Sequence, residues 1–125
     1  MVKARRALAS AIKLLQDNDG DGACNRAYYA MFDAARAALI SANSPAPATP
    51  AKTHSGLIAA FSLQLVKPGL FPLQLGKAFN KVEDLRLVAD YKGDLITDGE
   101  AHWAVQQAQA FVDEIERRFL GGRQP

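Results

Sequence analysis

Arginine, histidine and tyrosine are the residues of this chain whose chemistry suits a phosphodiester, and they fall in a few short segments. Arg86, Asp90 and Tyr91 all stand in VEDLRLVADY. A guanidinium presents a planar fork of donors that can take two phosphate oxygens at once. Asp90 is one helical turn beyond Arg86, so the two can equally form an ion pair on a helix face, with Glu83 joining from the preceding turn. Tyr91 ordinarily ionises near pH 10, which makes it a poor base unless its surroundings shift it strongly; the plainer reading is a packed or interface tyrosine with its hydroxyl hydrogen-bonded.

A second segment, KTHSG, places His54 between Lys52 and Ser55 at the expected start of a helix, where orphan N–H groups favour an anion. His54 can take up and give back a proton near neutral pH, or can simply cap that helix. The third segment, NRAYYA, carries Arg26, Tyr28 and Tyr29, residues that could grip a phosphate and stack on bases but also suit packing and an interface. The other histidine, His102, stands beside Trp103. DNDGDG resembles part of a calcium loop, yet the twelfth place from Asp17 is Tyr28 and not glutamate, so the segment reads as a turn. Cys24 lies among small residues and reads as packing; one cysteine forms neither an internal disulfide nor a cysteine zinc site. No metal or cofactor is expected.

Helices must position these groups. Ala4, Leu8, Ala11, Ile12 and Leu15 recur at helical spacing from Val2 to about Asp17, with Lys3, Arg5 and Arg6 on a solvated face. NDGDG ends that helix and offers an aspartate to cap the next, near Gly22 to Ala42, whose apolar face holds Tyr28, Met31, Phe32, Ala35 and Leu39. The alanines around them allow close approach, which places this helix at the centre of a bundle or against a second copy. A proline-rich connector, 43–53, separates it from a third helix from about His54 to Lys67, buried through Leu57, Ile58, Phe61 and Leu65 and stopped at Pro68-Gly69. A fourth helix, about Leu73 to Tyr91, buries Phe79, Val82, Leu85, Val88 and Ala89. Thr97 or Asp98 caps a fifth, running to Leu120, and the tail 121–125 should fray.

The fold class is therefore all-α, an antiparallel bundle of four to five helices in one domain over 1–120. At 125 residues, 49% hydrophobic and 22% charged, the chain can bury one core and is not a disordered tract. A net charge of +2 imposes no general attraction for a polyanion, so a nucleic-acid role needs a local basic patch. No apolar run approaches the roughly 20 residues of a membrane span, and the N-terminus reads as an amphipathic helix and not a leader, so no membrane association and a cytoplasmic location are expected.

Taken in order, NRAYYAMFDAARAAL, KTHSGLIAAF, VEDLRLVADY and AVQQAQAFVDEIERRFL resemble the HEPN family, in its short stand-alone branch. The resemblance spans the chain apart from the connector and the tail. It implies a four- to five-helix bundle that dimerises through central helices, works beside a minimal nucleotidyltransferase, and belongs to a toxin–antitoxin or defence-like module. In the ribonuclease members an arginine is followed after four to six residues by a histidine, and two such pairs meet across the dimer to cut RNA without a metal. Here Arg86 matches the arginine, but Asp90, Tyr91, Lys92 and Gly93 fill the places where the histidine belongs. If the chain is a metal-independent endoribonuclease, Arg86 would stabilise the phosphorane while His54 or Tyr91 handles protons. In some toxin members a tyrosine just after the motif is modified by the partner, and Tyr91 stands near that place. The alternative is a non-catalytic module that binds a nucleotide or a partner protein.

Overall fold

The computed structural model of the chain describes residues 1–42, 53–92 and 95–121, with Tyr91 and Lys92 given by backbone alone. Five helices make up most of it: α1 (Val2–Gln16), α2 (Gly20–Ser41), α3 (His54–Phe61), α4 (Leu73–Lys92) and α5 (Asp98–Ile115). No strand occurs among the described residues, so the all-α expectation holds. Apart from Thr53 and Gly121, the expected connector 43–53 and tail 121–125 lie outside the described residues.

Side chains fix three of the helix starts. The Asp19 carboxylate accepts from the Gly22 N–H and Thr53 Oγ1 accepts from the Gly56 N–H. At α5, Thr97 and Glu100 form a reciprocal capping box. The turn before α2 needs a positive φ at Asn18, 63°, which asparagine tolerates better than most residues.

Alanine decides which helix lies at the centre. Ala23, Ala27, Ala30, Ala34, Ala35 and Ala38 are all fully buried along α2, and their small size lets α2 pack against each of the other four helices. Beside it, Phe61, Phe71, Phe79 and Phe111 converge from α3, the α3–α4 turn, α4 and α5, with ring centroids 4.9 to 6.0 Å apart. Each is essentially inaccessible to water.

Several expectations need correction. The third helix does not run uniformly to Lys67: after Phe61 it widens into a π-type turn over Ser62–Val66. That extra residue per turn lets the consecutive Leu65 and Val66 both reach the core. Gly69 then reverses the chain at φ 88°, and Gly76 lets α4 approach Val66, whose methyl carbon would stand 3.0 Å from a Cβ at that position. The end of α5 widens in the same way over Glu116–Leu120. Ile12 and Val88 were expected in the core but are exposed at 37% and 41%, because the buried stripes of α1 and α4 are rotated towards Ala7 and Ala78. Arg5 does not stand on a solvated face: it reaches Asp113 at 2.9 Å and also pairs with Glu116, tying α1 to α5.

Candidate functional site

Successive residues on a helix point about 100° apart, so Tyr28 and Tyr29 on α2 face different surroundings. Tyr28 is fully buried towards α4 and Tyr29 is half-buried beside it, their rings edge to face at 5.2 Å. Arg86 on α4 lays its guanidinium over both, 4.5 Å from the Tyr28 ring centre and 5.8 Å from that of Tyr29. Only 11% of the Arg86 side chain remains exposed. A cation held on an aromatic face gains about 0.5–2 kcal/mol depending on how far it is desolvated, so the arginine is positioned before any ligand arrives.

The ion pair that the spacing allowed is present: Arg86 Nη1 donates to Asp90 Oδ2 at 3.3 Å. That distance is long for a charged pair, which usually closes to about 2.7–2.9 Å. Asp90 itself is half exposed, at 52%. Glu83 does not join the pair among the described ion pairs, although its charge reaches Tyr28. Arg86 Nε is buried and has no hydrogen-bond partner among the described residues, and the same holds for Tyr28 Oη and for Nε of Arg26. Three buried polar groups thus lie close together, and the Arg86 guanidinium stands near enough to the Tyr28 hydroxyl to favour its ionised form although no hydrogen bond of ordinary geometry joins them.

His54 begins α3 but does not cap it, since Thr53 holds that place. Its imidazole packs against Phe32 at 4.5 Å and against Tyr28 and Tyr29 at 5.5 Å each. The fold therefore brings His54 and Arg86, more than thirty residues apart in sequence, onto the same pair of tyrosine rings. Arg26 joins them, 5.3 Å over the Tyr29 ring. Ser55 is exposed, its hydroxyl 3.4 Å from that of Thr53. His102, the fifth residue of α5, is exposed. Lys52 and the side chain of Tyr91 lie outside the described residues.

One cation was missed in the sequence. Arg36 stands on α2 one turn beyond Phe32 and covers that ring at 5.2 Å. It shares a helix face with Phe32, four residues earlier, but that spacing alone does not separate it from a solubilising charge.

Electrostatics set what each group can do. Burial pushes the Tyr28 hydroxyl well above the ordinary tyrosine value, aided by the Glu83 charge and opposed by Arg86, so it stays protonated and can only donate or accept a hydrogen bond. Burial likewise raises the Cys24 thiol to about 11, which favours the packing reading. No group of three His, Cys, Asp or Glu side chains suited to a metal occurs among the described residues. No helix among them is long and apolar enough to cross a membrane. A groove of about 600 Å³ lies along Lys77, Lys81, Leu85, Val88 and Leu95 and includes none of the candidate residues.

Comparison with known proteins places the chain in a family. A sequence model described as the HEPN domain matches residues 1–118. The chain is 37% identical over 110 residues to "Putative toxin MJ0605" of Methanocaldococcus jannaschii, covering 86% of this chain and 78% of that protein. It is 35% identical over 118 residues to a "UPF0332 protein" of Thermotoga maritima, covering 92% and 84% of the two chains. A third relative, "UPF0332 protein glr0978" of Gloeobacter violaceus, is 32% identical over 117 residues, covering 94% and 85%.

Proposed function

The chain belongs to the HEPN domain family, and from that premise we propose that it is a toxin-like member that binds or cleaves RNA as a cytoplasmic homodimer, with a minimal nucleotidyltransferase as partner. One observation carries the reading. Arg86 is held almost buried on two tyrosine rings with His54 against the same rings, so a phosphate-gripping group and a proton-transferring group share one surface. Relatives that bear the name of toxins support the toxin-like part of it.

Cleavage without a metal requires the RNA 2′-hydroxyl to lose its proton as it attacks phosphorus. The departing 5′-oxygen must gain one, and the phosphorane charge must be stabilised. Arg86 supplies the last of these through the fork edge that now meets Asp90. His54 supplies proton transfer, filling the role left open by the absence of a histidine four to six residues after Arg86. Tyr28 is unsuited to be the base, because burial raises its proton affinity. One imidazole does not serve as base and acid in the same step, which is the chemical reason for two copies of the chain, or for Tyr91 as the second group. Lys52, Ser55 and Arg26 are then secondary contacts to the RNA backbone.

A second reading rests on the empty histidine position and on Asp90 occupying Arg86. It makes the chain a non-catalytic module that binds a nucleotide or a partner protein, giving a saturable complex without turnover. The experiment that tests the first reading is incubation of the purified protein with RNA in EDTA. Wild type should cut, and Arg86→Ala should lose the cut while melting cooperatively. RNA left intact by wild type supports the binding module; cleavage surviving Arg86→Ala removes the arginine from the mechanism.

A further inference from the structure

Contacts around Tyr29 continue along α2 in both directions. Arg26 lies 5.3 Å over the Tyr29 ring, and Arg86 approaches the same ring from α4. Past Tyr29, the His54 ring bridges to Phe32, and Arg36 covers Phe32 at 5.2 Å. The result is a strip in which three guanidiniums alternate with aromatic rings. At a rise of 1.5 Å per residue, Arg26 and Arg36 stand roughly 15 Å apart along α2.

Charge along this strip is incompletely matched. Asp90 pairs with Arg86, the one ion pair formed by the three arginines among the described residues, and the Glu83 charge reaches Tyr28 beneath Arg86. Arg26 and Arg36 have no such pair among those residues, Arg36 is exposed, Tyr29 and His54 are half-buried, and Phe32 is buried beneath Arg36. Cations spaced along flat rings suit a polyanion whose phosphates recur along a chain and whose bases can stack. A mononucleotide would engage one end of such a strip and leave the other unused.

We infer that Arg36 is a second phosphate contact, and that the strip from Arg86 and Arg26 through Tyr29, His54 and Phe32 to Arg36 takes a single-stranded RNA segment several nucleotides long. This rests on the RNA reading proposed above and specifies the length and course of the ligand. Arg36 is a binding residue, outside the proton chemistry assigned to His54.

Fluorescence anisotropy with a labelled 2′-O-methyl ten-mer, which lacks the attacking hydroxyl, measures this on the full chain. Affinity is followed against salt, alongside competition by AMP. Each phosphate contact on a single strand contributes about −0.7 to the slope of log affinity against log salt. Arg36→Gln should therefore weaken ten-mer binding and make the slope shallower by about 0.7, while Arg36→Lys keeps the slope. AMP should compete far more weakly than the ten-mer. Unchanged ten-mer binding by Arg36→Gln, together with loss in Arg86→Gln, would overturn the strip and leave the Arg86 reading intact. AMP competing as well as the ten-mer would also overturn the strip, because the ligand would then be a mononucleotide. No ten-mer binding by wild type, or binding indifferent to both substitutions, would overturn the strip and the RNA reading together.

Discussion

At the residue scale, the site is defined by groups whose hydrogen-bonding capacity the protomer does not use. Tyr28 is the clearest of them: a fully buried phenol beneath Arg86 whose hydroxyl proton has no acceptor of ordinary hydrogen-bond geometry among the described residues, the nearby Arg86 guanidinium being able only to donate. A buried unsatisfied polar group costs about 1–3 kcal/mol, so Tyr28→Phe should raise stability by about 1 kcal/mol in chemical denaturation. A loss of similar size would mean that the hydroxyl has a partner. The same substitution carries a pH signature. Folding raises the proton affinity of Tyr28, so its contribution is whole below the ordinary tyrosine value of 10.0 and is eroded as the pH rises beyond it. Tyr28→Phe should therefore flatten the alkaline decline in melting temperature, and an unchanged decline would assign it to other groups. In the sequence, Arg86, Asp90, Arg26 and His54 could be picked out by residue type and spacing. What spacing could not give was their common support. That depends on α2 delivering Tyr28 and Tyr29 between α3 and α4, a contact across long stretches of chain. Arg36 was overlooked because an arginine on a polar helix face has no local mark that separates it from a solubilising charge.

At the scale of elements, the helices were legible wherever a local signal and the tertiary demand agreed. The Thr97 start of α5 is such a case: threonine, then glutamate three residues on, ahead of an apolar stripe. Thr97→Ala removes an acceptor for the Glu100 N–H and should lower stability by about 1 kcal/mol, read from the urea midpoint. A change near zero would show that α5 is held by burial alone. Legibility failed where packing overrode periodicity. The wide turn at Ser62–Val66 satisfies two consecutive apolar residues that an ideal helix would have split, and nothing in SLQLV announces it. His54 illustrates the same limit at a helix start. Histidine and threonine both stand where a cap is needed, and the threonine hydroxyl wins because it accepts from Gly56 with less side chain to order, leaving the imidazole free to pack on the tyrosines.

At the scale of the whole molecule, alanine on α2 makes a bundle in which one helix touches all the others, and that centrality lets side chains from α2, α3 and α4 meet at one place. Family membership follows from the same order of segments that builds the bundle. The central claim is that the Arg86 guanidinium, pre-positioned on Tyr28 and Tyr29, is the group that grips RNA phosphate, whether or not cutting follows. Its most direct measurement is the affinity of wild type and Arg86→Ala for one uncleavable single-stranded RNA at fixed salt, with melting curves confirming that both are folded. Losing a charge-assisted contact of about 1.5–3 kcal/mol should weaken binding by at least about tenfold. Equal affinity in two folded proteins would contradict the account.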